Sequence, residues 1–156
     1  TLPDDDRLAL IAELRDTADG PPPRTRQLRR DELPVLEAAG VVVGNHTLTH
    51  PCLPRCDADK AVAEVARAHR LLGDALGHEP RVFAYPNGDW DQRAEGALAA
   101  AGYEAAFLFD HRVNPATPRH ALRISRLRVN SHTSLGRFAM IVSGLHPALH
   151  RARGRS

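Results

Sequence analysis

Short runs of β-branched and aromatic residues alternate with longer helix-like segments, and this alternation is the strongest constraint on the fold of the chain. Strands are predicted at residues 41–43, 81–85, 104–109 and 123–129. Strands that alternate with helices through short connections favour an α/β fold with a parallel sheet or barrel. Ligands bind beyond the carboxyl ends of such strands, so polar residues at those ends are candidates for a functional site.

The helices are predicted from apolar spacing and from residues that start and stop helices. The longest covers about residues 57–76, where apolar residues recur every three or four positions and Gly77 follows. The others are predicted at residues 1–18, 31–39, 91–102 and 134–142. With 42% hydrophobic and 26% charged residues, the chain of 156 residues can bury a core.

Composition excludes several classes of protein. A formal net charge of +2, with basic residues scattered along the chain, does not suit a nucleic-acid binder. No apolar run approaches the roughly 20 residues that a membrane-spanning helix needs. The sequence also lacks the Gly-x-Ser-x-Gly elbow, the P-loop and the Rossmann glycine pattern, so serine nucleophiles and nucleotide chemistry have no support.

Two histidines directly follow the first predicted strand. His46 and His50 are four residues apart, a spacing that in a helical turn lets both imidazoles reach one metal ion. Imidazole nitrogen suits zinc and similar divalent ions. The intervening Thr-Leu-Thr lacks the glutamate of the H-E-x-x-H metalloprotease pattern. A pair of exposed or capping histidines on a turn is the alternative interpretation.

Two cysteines follow the histidine pair. Cys52 and Cys56 could join His46 and His50 in a structural His₂Cys₂ zinc site, although the spacing differs from the usual zinc-finger arrangements. A disulfide between cysteines four apart has poor geometry within one helical turn. The simplest interpretation is that both are small residues beside a loop.

A second polar cluster follows the predicted strand at residues 81–85. A strand that ends in Pro-Asn-Gly forces a tight turn, and backbone N–H groups in such a turn can stabilise a developing oxyanion. Trp90, shortly after this turn, is either an aromatic that contacts substrate or a packed turn residue.

These motifs together resemble those of the polysaccharide deacetylase family, carbohydrate esterase family 4, with its NodB-homology domain. Residues 39–51, AGVVVGNHTLTHP, are similar to the family's metal motif, G-x-x-I-G-N-H-[ST]-x-x-H-P. Residues 83–88, FAYPNG, resemble the next motif in its F-A-Y-P-x-G variant. The similarity covers about residues 28–108 well and the remainder loosely.

The resemblance implies a fold and a set of site residues. The fold would be part of a distorted (β/α) barrel, with a divalent metal ion, zinc by preference, bound by one Asp and two His. His46 and His50 match the histidine ligands, and the backbone N–H of Asn87 matches the oxyanion donor. The remaining assignments place substrate contacts at Tyr85, Pro86 and Trp90.

The family's first motif, Thr-Phe-Asp-Asp-Gly, which supplies the catalytic base and the aspartate ligand, has no counterpart here. The acids Asp4 to Asp6 are expected to cap a helix, because no strand precedes them and no Gly follows. The resemblance therefore implies a chain without the first strands. We expect a helical insertion with a Pro-rich connection at residues 1–28, the C-terminal portion of the catalytic domain at 29–145 and a basic tail at 146–156.

Other family positions also differ. Ala84 stands where many members carry an arginine that orients the base, and His132 is the nearest counterpart of the late Leu-x-His motif. Residues 123–126 resemble an Arg-rich strand that some members have.

The predicted function is that of a metal-dependent hydrolase, from a bacterium, that removes N- or O-acetyl groups from a polysaccharide or glycan precursor. The 156-residue chain alone is expected to be inactive or weakly active, because the Asp-Asp motif is absent. The alternative is a non-catalytic carbohydrate-binding or interaction domain. The expected partner is an acetylated glycan or sugar precursor, with no nucleic acid and no membrane span.

Overall fold

A short parallel sheet organises the molecule. The computed structural model describes residues 2–20 and 25–145. Strands β1 (Val82–Ala84) and β2 (Ala105–Phe107) run parallel, with Val82 opposite Ala105. Single parallel bridges from Asn45 to Phe83 and from Phe107 to Ile124 extend the sheet at both sides. The carboxyl end of β1 and the chain that follows Asn45 therefore lie at one edge of the sheet.

Of the four predicted strands, that at 41–43 is not formed and that at 123–129 is reduced to a single bridge, and the described residues show no closed barrel. The prediction of a buried strand at residues 41–43 is wrong, since Val41 and Val42 are 49% and 73% exposed. β-branched residues favour a strand where neighbouring strands cover them, and here the described pairing to the sheet comes at Asn45, two residues after the segment. The predicted strand at 123–129 begins instead with the 3₁₀ turn Ala121–Arg123 and pairs with β2 through Ile124.

The predicted helices are found, with shifted ends. They are α1 (Asp4–Thr17), α2 (Leu33–Ala38), α3 (Ala58–Leu76), α4 (Gln92–Ala100) and α5 (Leu135–Val142). Asp57 caps α3 by accepting from the Lys60 N–H, and Gly77 ends that helix in a left-handed conformation. Asp91 caps α4 in the same way. None of the described helices is long and apolar enough to cross a membrane.

The acids at the start of α1 anchor this helix to α3 and provide no side-chain cap. The N-cap residue is Pro3, and Asp4 is buried in an ion pair with Lys60 at 2.8 Å and another with Arg7 at 2.7 Å. Burial raises the pKa of the Asp4 carboxyl, but hydrogen bonds from Lys60 and Arg7 outweigh burial and leave that pKa below its usual value. Leu14 of α1 is 59% exposed.

The core lies between the sheet and helices α3 and α4. Its aromatic centre is Phe83, whose ring meets those of Tyr85 and Tyr103 edge to face at 5.1 and 6.2 Å. Leu98 of α4 and Val65 of α3 pack against this centre. Part of the Pro-rich connection (residues 21–24) and the basic tail (146–156) lie outside the described residues.

Candidate metal centre

The two histidines lie on a turn that leaves the sheet after Asn45. Their ring centroids are 4.8 Å apart and their planes meet at 79°. The spacing of the histidines suggested a helical turn, but the turn is not helical. Thr47 and His50 take positive φ values of 67° and 56°. These left-handed conformations are uncommon for residues other than glycine, so surrounding contacts must hold the turn.

His46 is oriented by the carboxyl end of β1. Its Nδ1 lies 2.6 Å from the carbonyl oxygen of Ala84. A carbonyl oxygen only accepts hydrogen bonds, so Nδ1 carries the proton and Nε2 keeps its lone pair. This tautomer is the one that ligates a metal through Nε2, with the second nitrogen fixed by a backbone carbonyl.

Both histidines open onto a cavity of about 430 Å³. Its walls combine residues from the two motifs with residues from the chain after β2. The lining residues are His46, His50, Ala84, Tyr85, Asn87, Gly88, Phe109 and Arg126. The structure therefore brings the histidine turn and the Pro-Asn-Gly turn to one site. This is expected, because both turns follow the carboxyl ends of neighbouring parallel segments.

The Pro-Asn-Gly turn forms one wall of the cavity. Asn87 and Gly88 have φ values of 56° and 82°, and the Gly88 N–H donates to the Tyr85 carbonyl at 2.9 Å. A Cβ atom on Gly88 would lie 2.3 Å from the backbone nitrogen of Phe109. Glycine at this position lets the turn pack directly against the chain that leaves β2. The role of the Asn87 N–H as an oxyanion donor stays a prediction.

The three predicted substrate contacts have different surroundings. Tyr85 borders the cavity, but its side chain is fully buried and its hydroxyl donates to the Leu122 carbonyl. Burial raises the pKa of this phenol. Pro86 is also buried. Trp90 does not line the cavity. Its Nε1–H donates to Glu95 at 2.7 Å, and the Arg123 guanidinium lies 4.1 Å from its ring centre.

Arg126 lines the cavity, although it was not predicted as a site residue. Its Nε–H donates to the Leu108 carbonyl at 2.6 Å, and its guanidinium lies 5.4 Å from the ring centre of Phe109. Arg126 gives the cavity a permanent positive charge beside the two imidazoles. The bridge at Ile124 brings Arg126 to the site. The resemblance of residues 123–126 to an Arg-rich strand pointed to this segment but to no role for Arg126.

Asn45 is a buried residue that sequence reasoning treated only as part of a motif. Its side chain is 1% exposed and its Nδ2 donates to the Val65 carbonyl at 3.1 Å and to the Tyr103 hydroxyl at 2.7 Å. Its Oδ1 accepts the Thr47 N–H at 2.9 Å. Asn45 thus ties the start of the histidine turn to α3 and to the core.

We expect Asn45→Ala to lower the free energy of unfolding by about 2–3 kcal/mol, because buried partners of the amide lose their hydrogen bonds. Urea unfolding measures this change. Asn130→Ala is the matched control, since the Asn130 side chain is exposed and its bonds to described residues lie within its own loop. Equal losses in the two variants would contradict the assigned role of Asn45.

The cysteines do not complete a four-ligand zinc site. The Cys52 thiol donates to an Asp89 carboxylate oxygen, and burial raises the pKa of the Cys56 thiol to about 11. Across residues 2–20 and 25–145, no group of three or more His, Cys, Asp or Glu side chains is arranged to hold a metal ion. A metal ion in the cavity would therefore have two ligands from the described part of the chain, His46 and His50.

Comparison with known proteins identifies the family. The family model for polysaccharide deacetylases matches residues 18–106. The chain belongs to the polysaccharide deacetylase family, as its motifs predicted.

Two curated relatives match shorter stretches. The chain is 39% identical over 69 residues to a chitooligosaccharide deacetylase of Bradyrhizobium sp. (strain ANU 289), a match that covers 44% of this chain and 32% of that protein. It is 33% identical over 79 residues to chitin deacetylase 1 of Cryptococcus neoformans var. grubii, covering 50% of this chain and 17% of that protein. The chain thus spans about a third or less of these relatives.

Solved structures show the same fold. The deacetylase PplD of Streptococcus pyogenes aligns with a TM-score of 0.66 at 18% identity, covering 82% of this chain and 54% of that one. IcaB from Ammonifex degensii aligns with a TM-score of 0.60 at 23% identity, covering 74% and 53%. The arrangement of helices and strands described above is therefore that of polysaccharide deacetylases.

Proposed function

We propose that this chain carries the metal-binding half of a deacetylase site, which removes acetyl groups from a polysaccharide or glycan precursor. The observation that supports this most directly is the 2.6 Å contact of His46 Nδ1 with the Ala84 carbonyl, in the same cavity as His50. That contact leaves His46 Nε2 as a lone-pair donor. Family membership supports the reaction class.

His46 and His50 are the residues that would hold the metal ion, and zinc suits their imidazole nitrogens. A divalent ion bound there supplies Lewis-acid polarisation of the acetyl carbonyl and a water of lowered pKa. The chain itself contributes orientation: the Ala84 carbonyl fixes the His46 ring, and the Asn87–Gly88 turn forms the wall against which an acetyl group would lie.

Arg126 and Phe109 also line the cavity. A guanidinium stabilises negative charge, so Arg126 suits the oxygen on which charge develops during attack on a carbonyl. The Phe109 ring offers an apolar surface for a sugar ring or an acetyl methyl. We assign no acid or base to the described lining residues, because none of them is a carboxylate and the two imidazoles are the proposed ligands. The Tyr85 hydroxyl donates to the Leu122 carbonyl.

The proposed substrate is an N-acetylated chitooligosaccharide or a related acetylated glycan. The names of the two curated relatives, a chitooligosaccharide deacetylase and a chitin deacetylase, support this class. Since the described cavity contains no carboxylate to act as a base, we expect the 156-residue chain alone to release acetate slowly at most.

Acetate release from N-acetylated chitooligosaccharides, measured with and without added zinc, tests this proposal. We expect any acetate release to depend on zinc and to disappear in His46→Ala. Release that persists unchanged in His46→Ala would contradict the assignment of the site. Oligosaccharide binding without acetate release at any zinc concentration would favour the carbohydrate-binding alternative.

A further inference from the structure

The histidine turn is held by side chains. The backbone N–H groups of residues 47, 48, 49 and 50 all donate to side-chain oxygens. The acceptors are Asn45 for the first, Glu64 for the second and third, and Thr47 for the fourth. The conformation that brings the two imidazoles together therefore depends on which side chains surround the turn.

Glu64 of α3 makes the largest share of these contacts. One carboxylate oxygen accepts the Leu48 N–H at 2.9 Å and the Thr49 N–H at 2.8 Å, and the other accepts the Thr49 hydroxyl at 2.8 Å. Glu64 is only 7% exposed. A buried carboxylate is costly unless it is fully hydrogen-bonded, and these three donors, all from the turn, meet that requirement.

The next residue of α3 holds the other side of the same turn. The Val65 carbonyl accepts from Asn45 Nδ2 at 3.1 Å. Two consecutive residues of α3, Glu64 and Val65, thus hold both the start and the centre of the histidine turn. Because α3 is a 19-residue helix with a capped start and a glycine stop, it provides a rigid support for the histidine pair.

We propose that Glu64 is a positioning residue of the metal centre: its carboxylate holds the turn in the conformation in which His46 and His50 converge. This inference rests on the proposed function, since it assumes that the two histidines bind a metal ion. Residues that support ligands without touching the metal commonly change metal affinity 10–100-fold when they are replaced.

The test is a zinc titration of the full chain against a chromogenic chelator, with stability measured in parallel by thermal unfolding. Glu64→Ala removes all three hydrogen bonds and is expected to weaken zinc binding about tenfold. Glu64→Gln keeps an acceptor oxygen and a group that can bond the Thr49 hydroxyl, so it should restore most of the affinity. Thr49→Val removes only the hydroxyl contact and should cause a smaller loss.

Asp57→Ala is the matched control. It removes the side-chain cap of α3 and should lower the melting temperature without touching the histidine turn. The inference requires zinc affinity to fall in Glu64→Ala and to stay at the wild-type value in Asp57→Ala. If Glu64→Ala does not fold, Thr49→Val takes its place, and its zinc affinity must fall below the wild-type value while that of Asp57→Ala does not.

Two other results would overturn the inference, and they are distinguishable. If Glu64→Ala loses stability as Asp57→Ala does but binds zinc like the wild type, Glu64 supports only the fold, and the proposed function stands. If the wild-type chain binds no zinc, the metal centre itself is wrong, and the proposed function fails with it.

Discussion

Replacing His46 by alanine is expected to weaken zinc binding by the full chain at least about a hundredfold, and His50→Ala should do the same. Each substitution removes one of the two proposed ligands, and the described residues offer no group of three or more His, Cys, Asp or Glu that could hold the ion without it. The loss should exceed that caused by any residue that only supports the ligands. Competition with a chromogenic chelator measures the dissociation constants.

The control for this experiment is His78→Ala. His78 is an exposed histidine bonded to Glu37 and does not line the cavity that contains His46 and His50. Its replacement should leave zinc affinity within about twofold of the wild type. Comparable losses in His78→Ala and His46→Ala would indicate non-specific binding by surface imidazoles and would contradict the assignment of the cavity.

Gly88→Ala is expected to lower the free energy of unfolding by about 3 kcal/mol or more. The added Cβ would lie 2.3 Å from the Phe109 nitrogen, and the φ of 82° is strained for alanine. Both obstacles are in the backbone, so no side-chain rotation relieves them. Urea unfolding monitored by circular dichroism measures the loss.

Gly96→Ala is the control substitution, and it is expected to raise the stability of the protein. Gly96 lies inside α4, and an added Cβ meets no atom within 4 Å. Alanine should therefore stabilise the protein by about 0.5–1 kcal/mol through its higher helix propensity. A Gly88→Ala variant as stable as the wild type would show that the turn and the chain after β2 are not in contact.

The helices could be predicted from the sequence because their determinants are local. Asp57 and Gly77 mark the ends of α3, and Asp91 marks the start of α4, as cap residues do. The strands were harder to predict because a strand needs a partner. Residues 41–43 have strand-forming side chains, but within the described part of the chain the pairing with β1 begins only at Asn45, two residues after this segment.

The candidate site likewise contains residues that could be predicted from local motifs and residues that could not. His46 and His50 are visible from a short motif, and the Pro-Asn-Gly turn from the residues at a strand end. Glu64 reaches the histidine turn through the packing of α3, and Arg126 reaches the cavity through a single β-bridge at Ile124. Both contacts join segments far apart in the sequence, so they are visible only in the folded chain. The interaction of Trp90 with Glu95 and Arg123 is of the same kind.

The central claim is that His46 and His50 together bind a divalent metal ion, and ¹⁵N NMR of the histidine rings during a zinc titration tests it most directly. The account predicts that both rings shift and saturate together at one equivalent of zinc. His46 should keep the hydrogen bond from its Nδ1–H to the Ala84 carbonyl and bind zinc through Nε2. Saturation with the His46 and His50 resonances unchanged would contradict the account.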